Sequence, residues 1–180
     1  MIEKPKYRYT TYRSTAANAR LSDVYKLRKR SVNLPITGGC ACGAIRYESS
    51  TEPLFMFFCR CSDCRRATGS AYAMNVIFPS PSVQVTTGEV TSYEVTAFSG
   101  QPARHNFCNQ CGSPIGLDLD AYPDIQIMRS GSFDDPSHFK PTANLWMSNA
   151  LPWDKHDESL LSCEKNISDE ELAELMATLG

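Results

Sequence analysis

No long hydrophobic run occurs in this sequence. A helix that crosses a bilayer needs about 18 or more consecutive apolar residues, whereas the longest apolar run here, residues 53–58, has only the length of a strand. The amino terminus also lacks the apolar core of roughly 7 to 15 residues that marks a secretory signal. These absences exclude a helical membrane span and leave secretion without support. We therefore expect a cytoplasmic protein with no membrane partner, with organelle targeting by the amino-terminal segment as an alternative.

Cysteine is too sparse for a disulfide scaffold, and hydrophobic residues are too abundant for a disordered chain. Eight cysteines in 180 residues fall below the share of roughly 8 to 10% that is typical of disulfide-stapled proteins. The sequence is 42% hydrophobic and 21% charged, and it shows no internal repeats. A chain of this size buries enough apolar surface to fold without crosslinks. The composition therefore predicts one ordinary soluble domain.

Acidic residues are scarce only at the amino terminus. Residues 1–33 hold nine basic and two acidic residues, and the rest of the chain holds nine basic and eighteen acidic ones. Such an acidic body is a poor electrostatic match for a phosphate backbone. Nucleic acid is therefore not an expected partner, except through the basic arm.

Seven of the eight cysteines lie in three tight groups. Thiolates two or three residues apart converge readily on one metal ion, whereas disulfides between such close neighbours strain the turn. Without a secretory signal, we interpret the groups as zinc ligands. The groups are Cys40 with Cys42, Cys59 with Cys61 and Cys64, and Cys108 with Cys111.

The number of clustered thiols predicts two zinc sites of different kinds. A structural zinc ion takes four protein ligands, so seven thiols cannot close two such sites. The pairs Cys40/Cys42 and Cys108/Cys111 can together close one tetrahedral site, with glycines beside them that allow tight turns. Cys59, Cys61 and Cys64 then form a catalytic site whose fourth position is open to water or substrate. We expect loss of a ligand in the closed site to damage folding and loss of one in the open site to damage chemistry.

Short runs of β-branched and aromatic residues, separated by turn residues, predict a mainly β fold. Residues 107–112 are predicted as a strand end, a tight turn and a strand restart. Helices are predicted only near the ends, over residues 15–30 and after a capping box at residues 168–171. The predicted strands cover residues 44–48, 71–78, 83–86, 91–95, 115–119, 125–128 and 143–147.

Four motifs agree in order and spacing with one known family. They read GGCACGAIRY (38–47), CRCSDCRRATGSAY (59–72), FCNQCGSPI (107–115) and GSFDDPSHFKPTANLWMSNALPW (131–153). Over about residues 36–153 the chain resembles the glutathione-dependent formaldehyde-activating enzymes, also called the centromere protein V/GFA domain. The resemblance implies a single β-tent domain of antiparallel strands, with one closed zinc site and one open, labile zinc site. By motif position, the closed site corresponds to Cys40, Cys42, Cys108 and Cys111, and the open site to Cys59, Cys61 and Cys64.

The resemblance also implies an activity and a division of the chain. The named activity is that of a carbon–sulfur lyase, which joins glutathione and formaldehyde into S-hydroxymethylglutathione or reverses that step. We accordingly predict a basic arm (1–33), a zinc-binding β domain of this type with short terminal helices (34–156), and an acidic tail with a short helix (157–180). Glutathione or a glutathione-like adduct is the expected partner. Its carboxylates would suit Arg60, Arg65 and Arg66, because arginine binds carboxylates through two parallel hydrogen bonds.

Two positions depart from the family pattern. Many members carry histidine between the first two cysteines of the open cluster, where this chain has Arg60, and before the late aromatic strand, where it has Asn144. A ready proton carrier is therefore missing at both positions. The histidines that are present, at positions 105, 138 and 156, lie elsewhere in the sequence. These departures bear on formaldehyde as the substrate and leave the zinc ligands untouched.

Two other functions compete with the lyase. In the first, zinc only stabilises a non-enzymatic binding module, and the basic arm contacts a partner. In the second, the chain is a reductase similar to the methionine sulfoxide reductase B group. That group combines Cys-x-x-Cys zinc pairs with a separate nucleophilic cysteine, whereas here two of the three clusters begin with Cys-x-Cys and only Cys163 remains.

Overall fold

The computed structural model describes residues 33–168. The predicted helix at residues 15–30 lies outside this range, as does the carboxy-terminal helix apart from Ser168 at its capping box. None of the helices within residues 33–168 has the length and apolar character that a bilayer crossing requires.

Strands dominate the described residues, as predicted. One seven-residue helix, α1 (Ser62–Thr68), follows the third strand, and single 3-10 turns occur at Ser80–Ser82, Ser130–Ser132, Pro136–His138 and Met147–Asn149. The strands are β1 (Ile36–Gly39), β2 (Arg46–Ser49), β3 (Phe55–Cys59), β4 (Ala73–Pro79), β5 (Val83–Thr87), β6 (Thr91–Thr96), β7 (Pro102–Phe107), β8 (Pro114–Leu119), β9 (Ile125–Arg129), β10 (Ala143–Leu145) and β11 (Leu161–Ser162).

The strands form a small sheet and a large one. The small sheet has the order β1-β2-β5 and is antiparallel throughout. The large sheet has the order β11-β10-β3-β4-β9-β8-β7-β6. It is antiparallel except at β10, which pairs in parallel with both β3 and β11. The prediction of a mainly β fold with antiparallel strands is therefore confirmed, and the parallel strand pairs are confined to β10 and its two neighbours.

The central strands of the large sheet separate two hydrophobic cores. Successive side chains of a strand point to opposite faces, and β4 accordingly sends Ala73 and Ile77 into one core and Val76 and Phe78 into the other. The first core also contains Cys59 and Cys64, and the second contains Cys40 and Cys108. Each core thus carries one of the two cysteine groups that the sequence predicted.

Candidate metal centre

Cys40, Cys42, Cys108 and Cys111 come together at one end of the second core. Their four Sγ atoms lie within 4.8 Å of one another, with 3.4 Å between Cys40 and Cys42 and 3.8 Å between Cys42 and Cys108. A tetrahedral zinc ion with Zn–S bonds of about 2.3 Å holds its sulfurs about 3.8 Å apart. The four thiols therefore fit one tetrahedral ion.

Two similar turns deliver these thiols. The first turn joins β1 to β2, where the Gly43 N–H donates to the carbonyl of Cys40 at 3.1 Å. The second joins β7 to β8, where the Gly112 N–H donates to the carbonyl of Cys108 at 2.8 Å. Both glycines have positive φ, 78° and 74°, a conformation that costs a side-chain-bearing residue about 1–2 kcal/mol. The predicted glycine turns are therefore present at both pairs.

Ser113 links the two turns, a contact that sequence reasoning missed. Its hydroxyl accepts the Ala41 N–H at 3.0 Å and lies 3.2 Å from the sulfur of Cys111. The hydrogen bond from the Ser113 hydroxyl, followed by the one from the Ser113 backbone, lowers the pKa of Cys111 to about 5. Ser113 thus favours the thiolate form that binds metal.

Cys59, Cys61 and Cys64 form a second, separate cluster. Cys59 is the last residue of β3 and points inward because it shares the buried face of Phe55 and Phe57. Cys61 caps the amino terminus of α1 and accepts the Cys64 N–H at 3.3 Å, so the helix itself sets the spacing of these two thiols. The three Sγ atoms lie within 4.8 Å of one another. Cys59 and Cys64 are buried, whereas Cys61 is only half-buried.

Both clusters could hold a metal ion. Thiolate sulfur is a ligand that zinc prefers, and the donor sets of four and three sulfurs match the two kinds of zinc site. The structure therefore brings together the same seven cysteines, in the same two groups, that the sequence predicted.

Arg129 contacts the three-cysteine cluster and was not foreseen from the sequence. It ends β9, is 4% exposed, and directs Nη1 to the Cys64 sulfur at 3.7 Å and to Asn75 Oδ1. Hydrogen bonds from Cys59 and Cys61, followed by the charge of Arg129, hold the pKa of Cys64 well below its ordinary value. The signal in the sequence is weak: a charged residue closes a strand that is mostly apolar.

Arg60 has internal partners in place of the expected ligand carboxylate. It is 1% exposed. Its Nε donates to Asp154 at 2.6 Å and its Nη1 donates to Asn144 Oδ1 at 2.9 Å. The guanidinium also lies over the rings of Phe58 and Tyr72, 5.8 Å and 5.2 Å from their centroids. The two departures from the family pattern, Arg60 and Asn144, are therefore hydrogen-bonded to each other.

The other two predicted arginines lie on α1, directly after the cluster. Arg65 is half-buried, and its Nε is a buried atom without a hydrogen-bond partner. Arg66 is exposed and lines a cavity of about 230 Å³ together with Tyr93, His105 and Arg129. Arg66 is therefore the predicted arginine that is most accessible to a ligand.

A larger cavity of about 460 Å³ lies beside the other cluster, where Cys40, Arg46, Tyr72 and Arg129 are among its lining residues. Cys59, Cys61 and Cys64 line neither cavity. Arg129 lines both cavities, and its guanidinium also contacts the Cys64 sulfur of the three-cysteine cluster.

The remaining candidate side chains belong to neither cysteine cluster. His105 is buried and faces Arg129, with 3.1 Å between Nδ1 and Nη2. His138 is an exposed partner of Asp135 at 2.9 Å, and His156 is half-buried on the carboxy-terminal segment. Cys163 is half-buried against the first core.

The fold and these clusters define a mainly β, cysteine-rich domain with two separate groups of thiols that could each hold a metal ion. The model of one protein family, described as glutathione-dependent formaldehyde-activating enzyme, matches residues 35–149. This match spans more than half of the chain, and the chain therefore belongs to that family. The resemblance inferred from the four motifs is confirmed.

Individual proteins resemble the chain over most of the same region. It is 28% identical over 151 residues to a protein of Halomonas elongata named "Putative glutathione-dependent formaldehyde-activating enzyme", a similarity that covers 81% of this chain and 96% of that protein. A crystal structure of a Rhodobacter sphaeroides protein is 25% identical and covers 59% of this chain and 92% of its own, with a TM-score of 0.46.

Proposed function

We propose that this chain is a zinc-dependent carbon–sulfur lyase that acts on glutathione and formaldehyde or on a related glutathione adduct. The observation that carries the proposal is the division of seven thiols into a group of four and a group of three. The family name supports glutathione and formaldehyde as the reactants. We place this activity in the cytoplasm, where thiols stay reduced.

The four-cysteine cluster is proposed as the structural site. It ties the β1–β2 turn to the β7–β8 turn, and its cysteines Cys42 and Cys108 are 66 residues apart in the chain. A closed site of this kind contributes folding energy of about 10–16 kcal/mol in zinc-finger peptides near neutral pH. Its expected role is to hold the two turns together.

The three-cysteine cluster is proposed as the reaction site. One zinc ion would be bound by the three thiolates of Cys59, Cys61 and Cys64. Cys61 is the half-buried member of this cluster. Zinc held by these three thiolates would supply a Lewis acid that lowers the pKa of a substrate thiol and favours its thiolate form. The cysteines themselves hold and orient the ion and form no bond to the substrate.

The overall reaction is the addition of a thiol to a carbonyl group. A bond forms between sulfur and carbon, the π electrons of the carbonyl move to its oxygen, and the proton of the thiol ends on that oxygen. The reverse reaction breaks the carbon–sulfur bond and returns the proton to sulfur. Arginine and asparagine side chains do not act as proton carriers in proteins, and the side chains of Arg60 and Asn144 are hydrogen-bonded to each other. We therefore propose that solvent carries this proton.

Arg65 and Arg66 are proposed to hold the ligand carboxylates. Both follow Cys64 directly on α1, and Arg66 lines the cavity of about 230 Å³. Arginine suits this role because its planar group makes two parallel hydrogen bonds to a carboxylate. Arg60 is left out of this proposal because Asp154 already neutralises it.

The test is zinc analysis of freshly purified full-length protein during titration with glutathione. We expect close to two zinc ions per chain, one of them perturbed by glutathione. Cys61→Ser should remove that one ion and abolish turnover with little change in fold, whereas Cys108→Ser should unfold or precipitate the protein.

Cys163→Ser is the matched control, because Cys163 belongs to neither cluster. It should retain both zinc ions and full activity, and loss of activity would favour the reductase alternative. A single tightly held zinc ion that is indifferent to glutathione would contradict the proposal and favour a zinc-stabilised binding module.

A further inference from the structure

Arg129 is a buried cation whose negative partner is not a carboxylate. No ion pair with an aspartate or glutamate involves Arg129 among residues 33–168, although four other arginine–carboxylate pairs form there. Arginine keeps its charge under all ordinary conditions, and burying a charge without a partner is costly. A partner of opposite charge is therefore required within reach of its guanidinium.

The Cys64 sulfur is the group that meets this requirement. It lies 3.7 Å from Nη1, and Cys64 is itself 3% exposed. The other polar contacts of Arg129 are to Asn75 Oδ1 and His105 Nδ1, and neither of these groups carries negative charge. A thiolate at Cys64, the form in which cysteine binds metal, would balance the arginine.

Asn75 and His105 fix the guanidinium in place. Nη1 donates to Asn75 and Nη2 lies 3.1 Å from His105 Nδ1. A guanidinium has no acceptor, so His105 Nδ1 must accept and the proton of the neutral ring must sit on Nε2. Burial, followed by the charge of Arg129, lowers the pKa of His105 and keeps the ring neutral. The ring of Tyr93 stacks on His105 with 5.1 Å between centroids.

We infer that Arg129 is the positioning residue of the three-cysteine site: its buried guanidinium orients the Cys64 sulfur and supplies the positive charge that a divalent ion with three thiolates lacks. A divalent ion and three thiolates together carry a net charge of −1, and Arg129 brings the group to zero. The inference rests on the proposed function, because it requires that Cys59, Cys61 and Cys64 bind metal. Lysine cannot replace Arg129 fully, since an ammonium lacks the planar fork that reaches Cys64, Asn75 and His105 together.

The experiment loads metal-free, full-length protein with Co²⁺ and follows the sulfur-to-cobalt absorption bands. Bands that Cys61→Ser removes belong to the three-cysteine site, and the remaining bands belong to the four-cysteine site. We expect Arg129→Gln to weaken Co²⁺ binding at the three-cysteine site about 10- to 100-fold, the usual effect of losing a residue that orients a metal ligand. The four-cysteine site should be unchanged, and it serves as the internal measure of folding.

Two further variants separate charge from packing. Arg129→Lys keeps the charge and should lose less affinity than Arg129→Gln. Asn75→Ser removes one hydrogen-bond partner of the guanidinium and should weaken Co²⁺ binding only at the three-cysteine site. This variant provides a milder test if Arg129→Gln does not fold. Arg104→Gln is the matched control, since Arg104 is an arginine on β7 whose partners are Glu94 and Asp120. It should leave both sites unchanged.

The outcomes distinguish this inference from the proposed function. Co²⁺ uptake by the wild-type chain at the four-cysteine site alone would overturn both. If the wild-type chain takes up Co²⁺ at both sites, two results would overturn the role of Arg129 and leave the proposed function intact. In the first, Arg129→Gln and Asn75→Ser bind Co²⁺ like wild type. In the second, these variants lose equal affinity at the two sites.

Discussion

Arg60 and Asp154 form the most buried ion pair in the described part of the chain, with side chains 2% and 4% exposed. The pair links the turn between Cys59 and Cys61 to the segment after β10, and Asn144 accepts a further hydrogen bond from the same guanidinium. Burying two charges carries a large desolvation penalty, so the intact pair adds little net stability to the fold. Removing one member, however, leaves the other as an unpaired buried charge. Arg60 and Asp154 should therefore tolerate joint replacement better than single replacement.

The first prediction concerns this pair. Arg60→Met should destabilise the protein by about 3–5 kcal/mol, because it leaves the Asp154 carboxylate buried without a partner. The double variant Arg60→Met with Asp154→Leu should recover most of that loss. Urea unfolding of the single and double variants measures both effects. Equal destabilisation of the two would show that the ion pair itself stabilises the fold.

Individual side chains differ in how far the sequence can reveal them. Spacing placed the seven clustered cysteines in three groups, and the four ligands that a structural zinc ion needs indicated which two groups belong together. Arg129, Asn75 and Ser113 reach the clusters only through strand pairing and sheet packing. No local pattern marks such residues, and for the same reason the buried partners of Arg60 could not be inferred from its charge.

At the scale of elements, the predicted strands correspond to β2, β4, β5, β6, β8, β9 and β10, whereas β1, β3, β7 and β11 were not predicted. Strand β4 stands out in the sequence because its residues face two cores and are mostly apolar. Helix α1 was missed because it has only seven residues and because its amino-terminal capping residue is Cys61, whereas cysteine is not among the preferred capping residues. Strand β11 has two residues and exists only through its pairing with β10.

The strand predicted over residues 143–147 ends early, at Leu145. Trp146 has φ = 61°, a left-handed conformation that a strand cannot continue through. Its backbone N–H donates to Lys165 and its ring N–H donates to Asn166 at 2.6 Å. The carboxy-terminal segment therefore holds Trp146 in this conformation, and the cause lies about 20 residues away in the chain.

The second prediction compares two glycines of the β1–β2 hairpin. A Cβ added at Gly38 would lie 2.6 Å from the Ser132 carbonyl oxygen and closer still to Tyr47, whereas one at Gly43 would meet nothing within 4 Å. Gly43→Ala should therefore cost only the backbone penalty of about 1–2 kcal/mol. Gly38→Ala should cost more, although Gly38 needs no positive φ. Thermal unfolding of both variants tests the order, and a larger loss for Gly43→Ala would contradict it.

At the scale of the whole molecule, the two clusters differ in the length of chain that separates their cysteines. Cys59, Cys61 and Cys64 lie within one strand end and one helical turn. The four-cysteine cluster joins two turns across 66 residues. Closing a long loop restricts the unfolded chain more than closing a short one. Metal at the four-cysteine cluster should therefore contribute more to stability.

The third prediction is that chelation removes metal in two stages. The first stage should empty the three-cysteine site, which has one ligand fewer, and should change the melting temperature little. The second should empty the four-cysteine site and unfold the domain. Parallel measurement of released zinc and of circular dichroism during titration with a chelator would follow both stages. Unfolding in step with the first ion released would contradict this order.

The parallel pairing of β10 with β3 also determines how late in synthesis the large sheet can finish folding. Thr142 hydrogen-bonds to Met56 across 86 residues, so β3 leaves the ribosome long before the strand that flanks it beside Cys59. Pairings between such distant segments form late in folding. A nascent chain therefore carries the thiols at the end of β3 unprotected while about 86 further residues are added. Its clusters can assemble correctly only where the surroundings keep cysteine reduced and supply metal before the thiols oxidise.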